Sequence, residues 1–402
     1  MRIILSGWVI LVLIGLLAAP ASAQEEAWKT QMQAADEALK KNDTDSAWGA
    51  FQAALQEAER FGPEDPRLAG TLDLVGAFLG SQGQFTQADS LLKRSLTIWE
   101  RNLGVEHPQV AATLDRLAKL YETEGRADPA EAYLRRALAI REKAYGNEHP
   151  EVDASLNRLV SLYYGRGRYE DAESLLKRSL EIREKALGPD HPHVAAALNV
   201  LGVLYRNQGR LPEAEPLLKR SWNIREKNFG LRSPEVADSV SNLGAVYQAQ
   251  GKHEEAEKLF LLSQSIRENT LAKTNPMDPT LAAGLRDLAG VRMVRGKFAE
   301  SQPLLERSLL IEENFAGKES PLLSETLINL AEVHLRQQHY SEAEQLLKRT
   351  LSIQEKSLGP QHLSIAPTLS ILAEVLRKTG RAADAESLEA RFRSILASHG
   401  AE

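Results

Sequence analysis

The chain has 402 residues, 49 Lys and Arg against 55 Asp and Glu, a net charge of −6 and no cysteine. That small negative excess gives no global positive field for nucleic acid or anionic lipid. The missing cysteines exclude disulfides, thiolate metal sites, a Cys–His nucleophile and a lipid-attachment cysteine.

The first stretch, MRIILSGWVILVLIGLLAAPASAQEE, carries one Arg, an apolar run from Ile3 to Ala19 and small residues at Ala21, Ser22 and Ala23. It reads as a signal peptide over residues 1–23, cut after Ala23, which predicts a periplasmic or secreted protein. The alternative is an uncleaved N-terminal anchor, because the run approaches the roughly 17–20 residues that span a bilayer. Nothing after Ala23 is apolar enough to insert, so no membrane insertion is expected after cleavage.

Residues 24–61 form a weak helix pair with Ala47, Phe51 and Ala54 in apolar slots. From residue 62 a motif of the form AExLLKRSL recurs, with equivalent residues at Ala88, Ala130, Ala172, Ala214, Ala256, Ser301, Ala343 and Ala385. The step is 42 residues, except for 45 between Ala256 and Ser301. A fixed period in the 20–50 range marks a solenoid. Regular repeats therefore fill 62–271, repeats after a three-residue insertion fill 272–384, and a C-terminal capping helix fills 385–402.

Within one period the apolar residues fall at helical spacing, as Val194, Ala197, Leu198, Leu201 and Tyr205, then Leu217, Leu218, Trp222 and Ile224. Gly209 separates the two runs and suits the left-handed position after a helix. Gly188 and Gly230 close the second run, and the Pro that follows suits the first turn of the next helix, with the polar residue before it as N-cap. Each period is a helical hairpin that must stack on its neighbours to bury its apolar stripe.

The helix bearing Leu198, Leu201-Gly202, Tyr205 and Gly209, followed by Ala214 and Leu218, resembles a tetratricopeptide repeat. The 42-residue step, with LGPDHPHVAAALNVLGVLYRNQGR and IREK, resembles the kinesin-light-chain-like subtype, here as an exported bacterial-type member. The resemblance implies an all-α, right-handed α-solenoid of about nine helix-turn-helix units. It also implies that the first helices line a concave groove, and that the chain is a protein-binding module rather than an enzyme.

The repeat around AEKLFLLSQSIRENTLAKTNPMDP departs from the pattern. It lacks the Gly after its second helix and places Leu261 and Leu262 where other repeats carry Lys-Arg. Two leucines on a solvated face either pack under the longer loop or mark a contact patch. The last repeat turns polar, with Glu389 and Arg391 replacing the Leu and Lys of LLKR, as the end of an array requires.

The remaining motifs favour structure over chemistry. His107, His149, His191 and His362 recur at one slot, each beside Glu, Asp or Gln, and equivalent positions on stacked hairpins lie roughly 16–20 Å apart, too far for one ion, so they read as loop caps. HEEAE at His253 has Glu257 where a metalloprotease motif needs a second His. NDTD at Asn42–Asp45 lacks the Gly and Glu of a calcium loop, and GRGR at Gly165–Arg168 lacks the Lys-Ser/Thr of a phosphate loop. Glu173, Glu181 and Glu184 interleave with Lys177, Arg183 and Lys185 at helical spacing, a mutually paired, solvated face. Tyr121, Tyr163, Tyr205 and Tyr247 share one slot and read as core with a hydroxyl at the edge. No catalytic, metal or cofactor site is expected.

The groove-facing slots fall on Asp73, Asp115, Lys119, Glu122, Asn157, Ser161, Tyr164, Asn199, Arg206, Asn207, Ser241, Gln248, Arg286, Glu332 and Arg377. Amides can pair with both groups of an extended peptide backbone, and Arg can grip a carboxylate with two bonds. The expected reading head is the middle, Lys119, Asn157, Tyr164, Asn199, Arg206 and Asn207, where the groove-facing slots from Asn157 to Asn207 include Arg206 and no acid. The partner expected is a protein or extended peptide segment, without nucleic acid. The other reading is a self-associating structural protein, a homo-oligomer built through Leu261 and Leu262 or the array ends.

Overall fold

A computed structural model describes residues 21–399, and all regular elements among them are helices. The apolar run Ile3–Ala19 lies outside the described residues, while Ala21–Ala23 open the first helix. Among the described residues no helix is long and apolar enough to cross a membrane.

The helices pair in sequence and fall into two compact units divided between Ala186 and Leu187. The first unit holds α1 (Ala21–Lys40) with α2 (Thr44–Glu59), α3 (Pro66–Ser81) with α4 (Phe85–Leu103), α5 (Pro108–Thr123) with α6 (Ala127–Tyr145), and α7 (Pro150–Gly165) with α8 (Tyr169–Leu187). In the second lie α9 (Pro192–Asn207) with α10 (Leu211–Phe229), α11 (Pro234–Ala249) with α12 (His253–Thr270), and α13 (Pro279–Val294) with α14 (Phe298–Ala316). It continues with α15 (Ser324–Arg336) against α16 (Tyr340–Leu358) and α17 (Ala366–Lys378) against α18 (Ala382–Ser398).

Local chemistry sets the helix ends. The Nδ1 atoms of His107, His149 and His191 accept from the backbone N–H groups of Gln109, Glu151 and His193 at 3.1, 3.2 and 3.1 Å, each just before a helix-opening Pro. His362 does the same for Ser364 at 3.2 Å. These histidines are N-caps, a role that Asp65, Ser233 and Asp278 fill in other repeats. Asp43 of NDTD likewise caps α2 through the N–H of Ser46. After α9, Gly209 takes φ +75° and the Arg210 N–H returns to the Tyr205 carbonyl at 2.9 Å, so the chain reverses at a position that a side chain would strain. Past α12, Leu271 stays right-handed without a Gly, and Ala272 and Met277 of the longer loop pack on Leu281, Ala282, Leu285 and Ile311.

The motif AExLLKRSL explains the packing residue by residue. Its Ser is buried and donates across the pair to a carbonyl of the first helix, Ser95 to Ala69, Ser221 to Ala195 and Ser263 to Ala237 at 2.8 Å each. Gly202 lets α9 close on α10, because a Cβ there would stand 2.7 Å from Leu218. The Arg of LLKR reaches back to a Glu of the preceding second helix, Arg178 to Glu142 at 2.5 Å, Arg307 to Glu268 at 2.5 Å and Arg349 to Glu313 at 2.7 Å. Arg391 makes the same clamp to Glu355 at 2.6 Å, so it keeps the Arg slot and Ala390 takes that of the Lys. Glu389 instead turns to Arg377, which grips both of its oxygens at 2.8 Å.

At this slot α12 carries Leu262, and the clamp is replaced by burial against Val236, Ala237, Val240 and Ile266. The two leucines therefore part ways. Leu262 packs on the core of its own helix pair rather than under the loop, while Leu261 stays 42% exposed. The surface pairing also differs from simple i,i+4 spacing. Lys177 does pair with Glu173 at 2.7 Å, but Arg183 turns to Asp153 at 2.9 Å and Lys185 to Glu148 at 2.5 Å, both on the preceding segment.

Candidate binding face of the first helices

In the second unit the first helices of successive pairs lie against one another, α9 on α11, α11 on α13, α13 on α15 and α15 on α17; in the first unit α3 lies on α5. Second helices touch chiefly the first helices beside them. Helices that approach more closely form the inner side of a stacked array, so in each unit the first helices supply it.

The shared tyrosine slot is part of the packing. Tyr121, Tyr163 and Tyr205 are buried, and the Tyr121 and Tyr163 hydroxyls donate to Asp89 at 2.8 Å and Glu131 at 2.9 Å. Arg126, Arg168 and Arg210 cover the three rings at 4.6, 4.3 and 4.0 Å. In the repeat with the insertion the slot holds Arg292. It donates through Nε to Glu257 at 3.0 Å, and Arg295 and Lys297 also bond this carboxylate. Burial alone would raise the Glu257 carboxyl; Arg292, Lys297 and Arg295 outweigh it and hold it below the usual range.

Of the expected groove residues in the first unit, Asp73 is buried at 1% exposure and faces no open groove. It accepts from Trp99 at 3.3 Å, Thr113 at 2.9 Å and Arg116 at 3.1 Å, and burial pushes its carboxyl up. Asp115 pairs with Arg141 at 2.6 Å and Arg158 at 2.9 Å. Lys119 is exposed beside a small apolar cavity of about 150 Å³ lined by Gly76, Gly80, Leu92 and Leu120. Asn157 spends its amide on the Asp153 carbonyl at 2.6 Å and Asp153 Oδ1 at 3.0 Å, so an acid does stand beside it, against expectation. Tyr164 is half-buried with its ring edge on Tyr169 at 5.6 Å.

In the second unit Asn199 accepts from Asn242 at 3.0 Å, and Arg206 donates to Asn207 Oδ1 at 3.3 and 3.2 Å. Further along, Gln248, Arg286 and Glu332, three of the expected groove residues, meet at one cavity of about 520 Å³ among α11, α13 and α15. The expected middle positions are thus divided between the units, three in each, and the larger cavity lies beyond them. Met293, Val294 and Phe298 supply its apolar wall, and Asp287, Glu325 and Arg336 join its polar one. Asp287 stands where the other repeats carry Leu74, Arg116, Arg158, Val200, Asn242, Asn329 and Ile371, and sequence reasoning passed over it. The signal available was this lone acid in a slot otherwise apolar, basic or amide. Among the described residues no group of three His, Asp or Glu side chains gathers closely enough to hold a metal ion.

Comparison with known proteins fits this architecture. A tetratricopeptide repeat model matches residues 67–143, 151–227, 280–356 and 340–396, and a second tetratricopeptide repeat model matches 236–276. The chain belongs to the tetratricopeptide repeat family, and its described residues form an all-helical array of about nine helix-turn-helix units. Its structural neighbours include kinesin-light-chain-type members. The kinesin light chain nearly identical TPR-like repeats of Podosopora anserina align at 29% identity over 51% of this chain and 98% of theirs, with a TM-score of 0.46. BtubC (BKLC) of P. vanneervenii aligns at 25% identity over 61% of this chain and 92% of its own, with a TM-score of 0.45. The quorum sensor NprR of B. thuringiensis shares the fold over 92% of this chain and 99% of its own, at 16% identity and a TM-score of 0.62. No curated protein matches the chain significantly.

Proposed function

We propose that this protein is a non-catalytic scaffold that binds a protein or extended peptide segment on the inner faces of its first helices and so assembles a complex. The observation that carries the reading is the cavity among α11, α13 and α15, where polar and apolar side chains converge on the inner side. The amides of Gln248 and Asn329 there make no hydrogen bond among the described residues, which leaves both donor and acceptor for a peptide backbone. The opening sequence supports export, and hence a partner in the cell envelope.

A photo-crosslinking amino acid placed at Lys119, Arg206 or Gln248 on first helices, and at Glu181 or Ser352 on second helices, tests the reading in cells. The first three positions should trap the same protein and the last two should not. Trapping only from the second-helix positions would overturn it.

Self-association is the second reading, favoured by Leu310 and Phe315 of α14, exposed at 55% and 65% where the preceding unit's α8 carries Glu181 and Ala186. Light scattering on the purified chain separates the two. Self-association requires a concentration-dependent oligomer, whereas the groove reading works as a monomer.

A further inference from the structure

We propose that the cavity among α11, α13 and α15 is a receptor for a basic side chain, a lysine or arginine of the bound segment. The inference rests on the groove reading above and specifies the chemistry that this part of the groove selects.

Three observations carry it. The first is charge. Arg286 and Arg336 face Asp287, Glu325 and Glu332, so the lining holds one more carboxylate than cation. Arg286 is engaged by Glu325 at 3.0 Å and Glu312 at 3.4 Å, and Arg336 lies 3.4 Å from Glu332. Asp287, however, accepts only the Ser241 hydroxyl, at 2.9 Å, and no Lys or Arg lies within ion-pair distance of it among the described residues. Asp287 is exposed on the open side of the recess, yet the protein packed around it still pushes its carboxyl up, against the pull of the Ser241 hydroxyl and the more distant Arg267 and Arg286 charges. A carboxylate held in a recess without its own cation gains from a cation brought by a ligand.

The second observation is shape. Met293, Val294 and Phe298 give an apolar wall beside this carboxylate, which suits the methylene stem of Lys or Arg while the charged head meets Asp287. An acidic side chain would instead meet the excess carboxylates, which repel it.

The third is how the space arises. In the slot of Gly290 the neighbouring repeats carry Ala77, Lys119, Ser161, Val203, Ala245, Glu332 and Glu374. A Cβ at Gly290 would meet nothing within 4 Å, so the glycine leaves open a volume that the fold itself does not need. A side chain can therefore start from this position towards the cavity without a clash at its Cβ, which separates binding from folding.

The test uses the full mature chain and fluorescein-labelled peptides Ac-Ser-Gly-Leu-X-Leu-Gly-Ser-NH₂ with X as Arg, Lys, Gln or Glu, read by anisotropy. The Arg or Lys peptide should bind at least tenfold more tightly than the Gln peptide, and the Glu peptide least of all. Asp287→Asn should erase at least fivefold of the Arg-over-Gln preference, and Gly290→Leu should abolish binding with the circular-dichroism melt unchanged or raised. Equal binding of all four peptides, lost in Gly290→Leu, would overturn the basic preference and leave the groove reading standing. Binding unaffected by Gly290→Leu, or none with any peptide, would overturn the cavity as a receptor. Agmatine binding without peptide binding would reassign the cavity to a free cation and overturn the proposal.

Discussion

Arg292 donates through Nε to the Glu257 carboxylate at 3.0 Å, in the slot where Tyr121, Tyr163, Tyr205 and Tyr247 stand in earlier repeats. Two changes belong together here. Earlier repeats hold the equivalent carboxylate with the cation of LLKR, as Lys219 holds Glu215 at 2.6 Å, and the tyrosine hydroxyl adds to it. Leu261 removes that cation, and Arg292, with Arg295 and Lys297, replaces it from the other side.

This compensation predicts coupling. Arg292→Tyr alone should destabilise the chain by about 1–3 kcal/mol, because it removes a partner from a buried charge. Leu261→Lys together with Arg292→Tyr restores the ladder of the earlier repeats and should recover at least half of that loss. Urea unfolding midpoints of the single and double variants measure the coupling. Strictly additive effects would contradict it.

Acid should loosen the array through the same column. The hydrogen bond from Lys219, then that from Gln250, with the charges of Lys219 and Lys252, hold the Glu215 carboxyl down at about 2, against an ordinary value of 4.5. Its folded pKa is depressed, so its stabilisation is present above about pH 4.5 and is lost as pH falls towards 2. Glu215→Gln should cost on the order of 1–3 kcal/mol at pH 7 and little at pH 2.5. Asp73 works in the opposite direction, since burial raises its carboxyl and protonation relieves the cost. Denaturant midpoints of wild type and variant across pH 7 to 2.5 should converge at the acid end.

Two helical glycines should respond oppositely to alanine. At Gly202 a Cβ would press on Leu218 at 2.7 Å, and the substitution should cost about 1–3 kcal/mol. At Gly290 the space is open, and alanine should add about 0.5–1 kcal/mol through helix propensity alone. Thermal melts of both variants give the signs directly.

His191 supplies an N-cap through Nδ1 to the His193 N–H at 3.1 Å. His191→Ala should lower stability by about 1 kcal/mol, and His191→Ser or His191→Asp should recover it, as Ser233 and Asp278 perform this role elsewhere. The same melts check it.

Much of this was legible in the sequence because the repeat makes each rule visible many times. The 42-residue step, the glycine after most first helices, the polar cap before Pro and the tyrosine slot all follow from local backbone geometry, which neighbours in sequence decide. What escaped depends on which way a side chain turns between helices. Asp73 was placed in the groove, yet Trp99, Thr113 and Arg116 draw it inward, and their relation to it spans 26 to 43 residues. Asn157 turned to Asp153 on its own helix, which spacing alone does not distinguish from facing a ligand. Arg286 was counted on the inner face and Asp287 was not, although one residue along a helix is a rotation of about 100°, and the wide recess among α11, α13 and α15 takes in both. The opening of that recess depends on a missing side chain at Gly290, which only the packed structure makes meaningful.

The most direct test of the inner face as the working surface is hydrogen exchange on the intact chain, alone and with the protein trapped by the crosslinker. Slower exchange should concentrate on α9, α11, α13 and α15, with α10, α12, α14 and α16 unchanged. Protection confined to the second helices would contradict the account.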